Sequence, residues 1–366
     1  MKTIVVGNGI LGQLTALRVA QAGTPVTMIG DPERAGSATL AAAAMLAAFG
    51  EIDAGVLASD AGRMKLEIGI SATREWGPLA AELGVPLHTG TFVLDAGGLD
   101  DTVRFDALVA ALVEYEEPHA LVKPAQVPGY APLRPARRAL RLVREGWIDP
   151  RAVVAALDTA LAAAGVERIA GSAARVLGAG AIELADGRVI EGTHCLLANG
   201  ARLTSLLTAS ALPLRVPVVL YGVGSTIEVA SASTHTACLR GRGTYLAPHA
   251  DRIVLGATNV VVAEPVDDAG AAAKILDTAA THLDHHLADA QVLRVTTGWR
   301  PTTADGYPLI GATSVPGLVI ASGTRRDGFH LAPVIAEHLA RLLHGERGDP
   351  RFRPFSPERE VQSPPR

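Results

Sequence analysis

Gly7-Asn8-Gly9-Ile10-Leu11-Gly12 stands between a short apolar run and a longer amphipathic one. Its glycine spacing suits a dinucleotide pyrophosphate. The first glycine permits a tight turn, the second lets the diphosphate approach the backbone, and the third lets the helix pack on the strand. Phosphate charge would then rest on amides at the helix N-terminus. The acid expected on the ribose about 20 residues further on is displaced: Gly30 takes its place and Asp31 follows. Asp31 can still reach a ribose hydroxyl from the turn. Other reactive side chains offer less. His282 and His286 are four apart with His285 alongside, but no His-Glu-x-x-His pattern or cysteine pair completes a metal site. Cys195 and Cys238 lack a Cys-x-x-Cys or basic-pair context and read as inert buried thiols. Ser205 and the other serines lie outside any nucleophile-elbow sequence, which disfavours a hydrolase.

The elements that must hold these residues follow from the pattern. Lys2 to Val6 predicts a buried strand, Ile10 to Ala22 a helix and Pro25 to Ile29 a second strand, a complete β-α-β unit. Residues 51–86 predict mainly helix, and Pro86 to Leu94 an extended run. The stretch 117–138, rich in proline and basic residues, predicts an irregular crossing. Asp149-Pro150 supplies an N-cap and a first-turn proline for a helix to Ala164. Short strands alternate with turns over 167–200, β-like runs fill 216–262, and a helix spans 267–287. Leu318 to Ala321 predicts a strand and Leu331 to Leu343 a helix. The Pro- and Arg-rich tail after Gly345 predicts a loosely held end.

Length and composition bound the rest. The 366 residues, at about 150 per domain, suggest roughly two domains. Hydrophobic residues make up 48% and charged residues 19%, a globular composition. A net charge of −4 argues against a nucleic-acid partner. Two cysteines fit a reducing compartment. The most apolar stretch, Leu40 to Phe49, is about half of what spans a bilayer, and no secretory pattern opens the sequence. The expectation is a cytoplasmic protein with no membrane partner.

Five separated segments, in order, resemble the glycine oxidase / D-amino-acid oxidase family of FAD-dependent amine oxidases, most closely its glycine oxidase (ThiO-like) branch. The first is the glycine turn. The second, Leu40-Ala41-Ala42-Ala43-Ala44-Met45-Leu46, is similar to the family's Ser-Ala-Ala-Ala-Gly-Met-Leu. The third is Cys195-Leu196-Leu197-Ala198-Asn199-Gly200-Ala201. The fourth joins Gly298-Trp299-Arg300-Pro301 to Asp305-Gly306-Tyr307-Pro308-Leu309-Ile310-Gly311. The fifth runs Gly323-Thr324-Arg325-Arg326-Asp327-Gly328-Phe329-His330-Leu331-Ala332-Pro333, similar to Gly-His-x-Arg-Asn-Gly-Ile-Leu-Leu-Ala-Pro. The sequence departs from the family at Gly30 (an acid), Leu40 (Ser), Ala44 (Gly) and His330 (an aliphatic residue). Asn259 stands where the branch usually carries an apolar residue, which suggests a larger or more hydrophilic substrate, as in a specialised biosynthetic pathway.

The resemblance implies an α/β chain with a Rossmann-like FAD-binding domain (1–80, 141–214 and 296–345), an interleaved β-rich substrate-binding domain (81–140 and 215–295) and a tail (346–366). It implies that Arg300 grips the substrate carboxylate with its planar two-pronged donor. Tyr245, in Thr244-Tyr245-Leu246-Ala247-Pro248, would share that carboxylate. Arg326 would close over the substrate or steady the flavin. Substrate Cα–H would be aimed at flavin N5 as a hydride, the protein supplying orientation and electrostatics. Cofactor contacts fall on Gly7, Gly9, Ile10, Leu11, Gly12 and Asp31. Ser37, Thr39, Ala42, Ala43, Ala44, Met45, Val176, Ala198, Asn199 and Gly200 extend them, and Arg300, Arg326, Gly328, Phe329, His330 and Leu331 complete the set. A helix opening at Gly328 would offer its first amides to charge on the reduced flavin. No cysteine lies near Arg300, so the expected FAD is noncovalent. The implied reaction oxidises the C–N bond of glycine, a D-amino acid or an N-substituted glycine, with dioxygen as partner and hydrogen peroxide as product. Two alternatives stay open: a dehydrogenase using a non-oxygen acceptor, and a catalytically inactive FAD-binding protein. Assembly as a homo-oligomer is likewise left open.

Overall fold

A computed structural model describes residues 2–52, 55–178, 180–230 and 235–360. Strands and helices are numbered in chain order. The first sheet has six strands in the order β18 (Leu309–Ala312), β19 (Leu318–Ser322), β11 (His194–Leu197), β1 (Thr3–Val6), β2 (Val26–Gly30) and β7 (Glu167–Ala170). All neighbours are parallel except β18 with β19. Buried parallel strands read as unbroken apolar runs, and β1 (Thr-Ile-Val-Val) is buried at every residue. Helix α1 (Ile10–Gln21) leaves the end of β1 and shares a core with α7 (Ala332–Leu343) through Leu14, Leu17, Ile335 and Leu339, all nearly fully buried. Each such side chain contributes roughly 1.5–3 kcal/mol. Helix α4 (Pro150–Ala163) packs on the same side; Asp149 caps it by accepting from the Arg151 amide at 2.9 Å. A three-stranded antiparallel sheet, β10 (Val189–Glu191), β9 (Ala181–Leu184) and β8 (Ala173–Val176), covers the other side with α5 (Leu203–Ser210).

The second large sheet runs β16 (Val260–Val262), β12 (Leu220–Ala230), β15 (Arg252–Gly256), β14 (Thr244–Pro248), β13 (Cys238–Gly241), β4 (Leu87–Asp95), β6 (Arg138–Ile148) and β3 (Met45–Leu46). Strand β17 (Val292–Thr302) also pairs with β12, and β5 (His119–Val122) with β6. One face of β12–β15 buries Ile227, Val229, Leu239, Leu246 and Leu255 against α6 (Ala271–His282). The opposite face carries the alternate residues, and that face borders the cavity described below. Helix α2 (Asp60–Leu83) begins at the Ser59 N-cap and stops at Gly84, whose left-handed φ of 65° suits glycine.

The predicted β-α-β unit is present within a residue or two of its expected ends, and 51–86 contains α2. The sequence reading placed no element over residues 95–116, where α3 (Leu99–Glu114) buries Phe105, Leu108 and Leu112. The expected irregular crossing at 117–138 holds β5. The helix expected over 267–287 ends at His282, followed by a short 3-10 turn over His285–Asp289. The tail is held more firmly than predicted. A 3-10 turn over Pro350–Phe355 buries Phe352 and Phe355, and Arg359 pairs with Asp305 at 2.9 Å. Apolar anchors three residues apart override the loosening effect of the prolines. Residues 361–366, the end of the predicted tail, lie outside the described residues.

Candidate active site

One cavity of about 1000 Å³ runs from the glycine turn to the glycine-rich face of the second sheet. At its first end Gly7 has φ +115°, and a Cβ there would lie 2.3 Å from the Ala198 carbonyl oxygen. A Cβ on Gly12 would meet the Gly7 oxygen at 2.0 Å. The turn is thus pressed between β11 and its own helix, which only glycine allows. Thr39 Oγ1 accepts from the Ile10 amide at 3.0 Å, fixing the segment 37–45 across the helix start. The next first-turn amides have no intrahelical acceptor by geometry, the usual setting for an anion. Asn199 Oδ1 lines this region and is buried without a hydrogen-bond partner among the described residues. An orphaned acceptor in a polar cleft calls for a ligand donor. These features fit a bound dinucleotide.

The displaced acid has a steric cause. A Cβ on Gly30 would fall 2.4 Å from Asn8 Cγ, so the Asn8 side chain fills the space that a larger residue would need. Asn8 Nδ2 donates to the Asp31 carbonyl at 2.7 Å. Asp31 itself lines the cavity one residue further along.

At the other end, strand register brings the predicted substrate residues together. Tyr245 is paired with Gly256 across β14 and β15, and Arg300 with Gly222 across β17 and β12. Counting along the paired strands puts Tyr245 and Arg300 on one face with Gly222, Gly224, Gly256 and Gly298. The glycines make room: a Cβ on Gly256 would be 2.3 Å from the Tyr245 oxygen, and one on Gly224 1.9 Å from Arg300 Nη1. Arg300 Nη1 donates to Thr258 O at 3.0 Å and to Asn259 Oδ1 at 3.2 Å. Asn259 therefore aims the guanidinium. Asp268 accepts from Ser225 Oγ at 2.6 Å and also from Thr258 Oγ1, which pins the 258–259 segment. Burial, aided by Arg326 and Arg325 and opposed by Tyr245 and Asp268, pulls Arg300 below its ordinary pKa. A guanidinium so placed gains by receiving an anion. Burial pushes the Tyr245 phenol up to about 12, so it stays a proton donor.

The fifth motif closes the site. The Arg325 amide donates to Pro301 O at 2.7 Å, which ties this loop to the strand carrying Arg300. Arg326 Nη2 meets Glu51 Oε2 at 2.9 Å, and Arg240 pairs with the other oxygen of the same carboxylate. Burial would raise Glu51, but Arg240 and Arg326 overcome it and hold the carboxyl down to about 2. Glu145, behind them, accepts from the Phe49 amide at 2.5 Å and the Gly50 amide at 3.1 Å. Burial pushes it up to about 7 against the pull of Arg240. Phe329 stacks on Trp76 with centroids 5.3 Å apart. His330 is buried beside Thr73, 2.9 Å from its hydroxyl, and burial lowers its pKa to about 4. The polar ring is thus accommodated where the family carries an aliphatic side chain.

Most predicted site residues border this one cavity, including Gly9, Leu11, Ser37, Ala42, Ala43, Ala44, Met45, Ala198, Gly200, Gly328 and His330. Three do not. Gly12 packs on Gly7. Val176 is buried among Ile4, Ile182 and Cys195, and its amide donates to Ser210 Oγ at 2.8 Å; Gly171 to Ala174, just upstream, line the cavity instead. The helix expected to open at Gly328 begins at Ala332, and the Leu331 amide already donates to Asp327 O at 2.8 Å. Residues 328–331 form the turn that precedes it. Sequence reasoning missed Glu51, Arg240 and Glu145. Alternation in Cys238-Leu239-Arg240-Gly241, which points Arg240 away from the apolar core, was the available signal for one of them.

The family model described as FAD dependent oxidoreductase (DAO) matches residues 2–342. The bifunctional protein ThiO/ThiG of Nostoc sp. is 27% identical over 372 residues, covering 95% of this chain and 53% of that protein. The chain thus spans about half the length of that curated relative. Glycine oxidase from Geobacillus kaustophilus superposes with a TM-score of 0.86 at 22% identity, covering 98% of this chain and 99% of that one. Iminodiacetate oxidase from Chelativorans sp. BNC1 gives a TM-score of 0.81 at 22% identity, covering 97% and 98%. At these identities the two solved structures establish the shared α/β fold.

Proposed function

The chain belongs to the FAD dependent oxidoreductase (DAO) family, and from that premise we propose that it oxidises the C–N bond of a small amino acid or N-substituted glycine to an imine. The observation that carries this reading is the placement of Arg300 and Tyr245 together over a glycine floor, at the end of the cavity opposite the phosphate turn. When bound, FAD supplies a two-electron acceptor that dioxygen restores with release of hydrogen peroxide. Gly7, Gly9, Ile10 and Leu11 would hold its diphosphate, with Ala42 to Met45 and Gly328 to His330 along the rest of its length. Arg300 and Tyr245 bind the substrate carboxylate and so fix the Cα–H direction, an entropic gain realised before reaction. The neighbouring guanidiniums of Arg300 and Arg326 disfavour an ammonium, so they favour the neutral amine that oxidation needs. Water then releases the 2-oxo acid from the imine. Relatives described as glycine oxidase and iminodiacetate oxidase support this class of substrate.

The same reading divides the chain into a cofactor unit (1–80, 141–214, 296–345) and a substrate unit (81–140, 215–295). The division is supported by the six-stranded sheet, whose strands all fall in the first set, while β6 and β17 straddle the junctions. A cytoplasmic setting is supported by the two buried, free cysteines. Among the described residues no helix is long and apolar enough to cross a membrane. The test is to purify the protein, record flavin absorbance, and add glycine, sarcosine, D-alanine and iminodiacetate without oxygen. Bleaching by one of them, followed by peroxide on admitting air, is expected. A colourless protein, or a flavin that none of them reduces, would overturn the reading.

A further inference from the structure

We propose that Asn8 takes the place of the missing acid at position 30: its side-chain oxygen accepts from the adenosine ribose hydroxyls of the bound dinucleotide. The inference rests on the family's use of FAD and on the cavity, and it is independent of which amine is oxidised. In folds of this kind a carboxylate at the end of the second strand binds the ribose. Here that strand, β2, ends at Gly30, which has no side chain to offer. The strand end is fixed on both sides. Gly30 is in register with Ala170 of β7, and its carbonyl accepts from the Gly171 amide at 3.2 Å. The Gly7 amide donates to Ile29 O at 2.8 Å, which holds the glycine turn against the same strand end.

Asn8 stands in the gap. The three atoms nearest to where a Gly30 Cβ would lie all belong to Asn8, with Cγ at 2.4 Å and both Cβ and Nδ2 at 2.7 Å. A carbonyl bond is about 1.23 Å, so Asn8 Oδ1 lies within about 3.6 Å of that point, inside the reach of a glutamate rooted there. The amide is held in one orientation, because Nδ2 donates to the Asp31 carbonyl at 2.7 Å, a bond its oxygen cannot make. Oδ1 is left without a hydrogen-bond partner among the described residues, on a half-buried side chain that lines the cavity. An amide oxygen has two lone pairs and can accept from two hydroxyls. Asp31 is the rival acceptor, but its Oδ1 is turned back onto the Glu33 amide at 3.0 Å. Positions 8 and 30 are therefore reciprocal. Glycine at 30 admits the asparagine, and an acid at 30 calls for glycine at 8, since even the Asn8 Cβ crowds it.

The test reads cofactor binding and involves no turnover. On the full chain stripped of flavin, ADP and 2′,3′-dideoxy-ADP compete against FAD, followed by flavin fluorescence. The wild type should bind ADP at least fivefold tighter than the dideoxy form, the scale of one or two neutral hydrogen bonds. Asn8→Ala should bind the two nucleotides alike, and Asp31→Ala should keep most of the discrimination. Asn8→Gly combined with Gly30→Glu should regain it. Equal binding by the wild type, full discrimination in Asn8→Ala, or its loss in Asp31→Ala alone overturns the proposal. If stripped Asn8→Ala does not stay folded, the rate of FAD release from the loaded chains decides. Release at least fivefold faster in Asn8→Ala, and slowed again in the Asn8→Gly/Gly30→Glu pair, supports the assignment; an unchanged rate refutes it. Should no amine bleach the flavin, the oxidase reading fails while these measurements still judge Asn8.

Discussion

Gly224 leaves the space that Arg300 fills: a Cβ on the glycine would stand 1.9 Å from the guanidinium Nη1 and 2.3 Å from Thr258 O. Backbone on one side and a hydrogen-bonded guanidinium on the other cannot both give way. Gly224→Ala should therefore push Arg300 from its bonds to Thr258 and Asn259 and weaken carboxylate binding by about tenfold, or ~1.4 kcal/mol. Flavin content should remain that of the wild type, because the change lies at the far end of the cavity from the glycine turn. Substrate KM and flavin absorbance, measured on the same preparation, check this.

Restoring the family's acid at position 30 should harm the protein. The Asn8 side chain occupies that space, with Cγ 2.4 Å from where a Cβ would sit. Gly30→Glu is expected to lower flavin retention through gel filtration, despite adding the residue that usually meets ribose. Higher retention would show that Asn8 yields easily.

Glu145 makes stability depend on pH in a definite direction. Its folded pKa of about 7 lies above the ordinary 4.5 because burial favours the neutral acid. Between those values the native state holds a proton that the unfolded chain has lost, so the contribution of Glu145 to stability is fully present below pH 4.5 and is lost as pH rises toward 7. Glu145→Gln should flatten the urea midpoint across that window. An equally steep profile in the variant would assign the dependence to another group.

The C-terminal turn is expected to support the fold. Phe355 is fully buried beside Tyr307, with ring centroids 5.8 Å apart. Phe355→Ala should cost about 3–5 kcal/mol, read as a lowered urea midpoint at unchanged slope. A loss under about 1 kcal/mol would return this segment to the status of a loose tail.

The parts of this molecule legible in the sequence are those whose chemistry is local. Gly7 to Gly12 encode a turn by backbone conformation alone, and Ile10 to Ala22 encode a helix by period. Arg300, Tyr245 and Arg326 were found through motifs that resemblance could supply. What escaped depends on register between distant strands. Arg240 acquires meaning only when β13 pairs with β14, and Glu51 only when the fifth-motif loop returns across it. Helix α3 was missed because its opening Gly-Gly-Leu-Asp-Asp mixes turn and helix signals, and its apolar face is fixed by packing on β6. Val176 stood among the cofactor contacts that the resemblance implies, whereas strand alternation turns it inward.

The most direct test of the account is anaerobic flavin reduction in Arg300→Ala, with flavin content matched to the wild type and the best amine as reductant. Hydrogen bonds between charged groups contribute about 1.5–3 kcal/mol each, so removing a two-pronged carboxylate anchor should cut reduction efficiency roughly 100-fold or more. Reduction at the wild-type rate and the wild-type amine affinity would contradict the assignment of Arg300 as the group that holds the substrate.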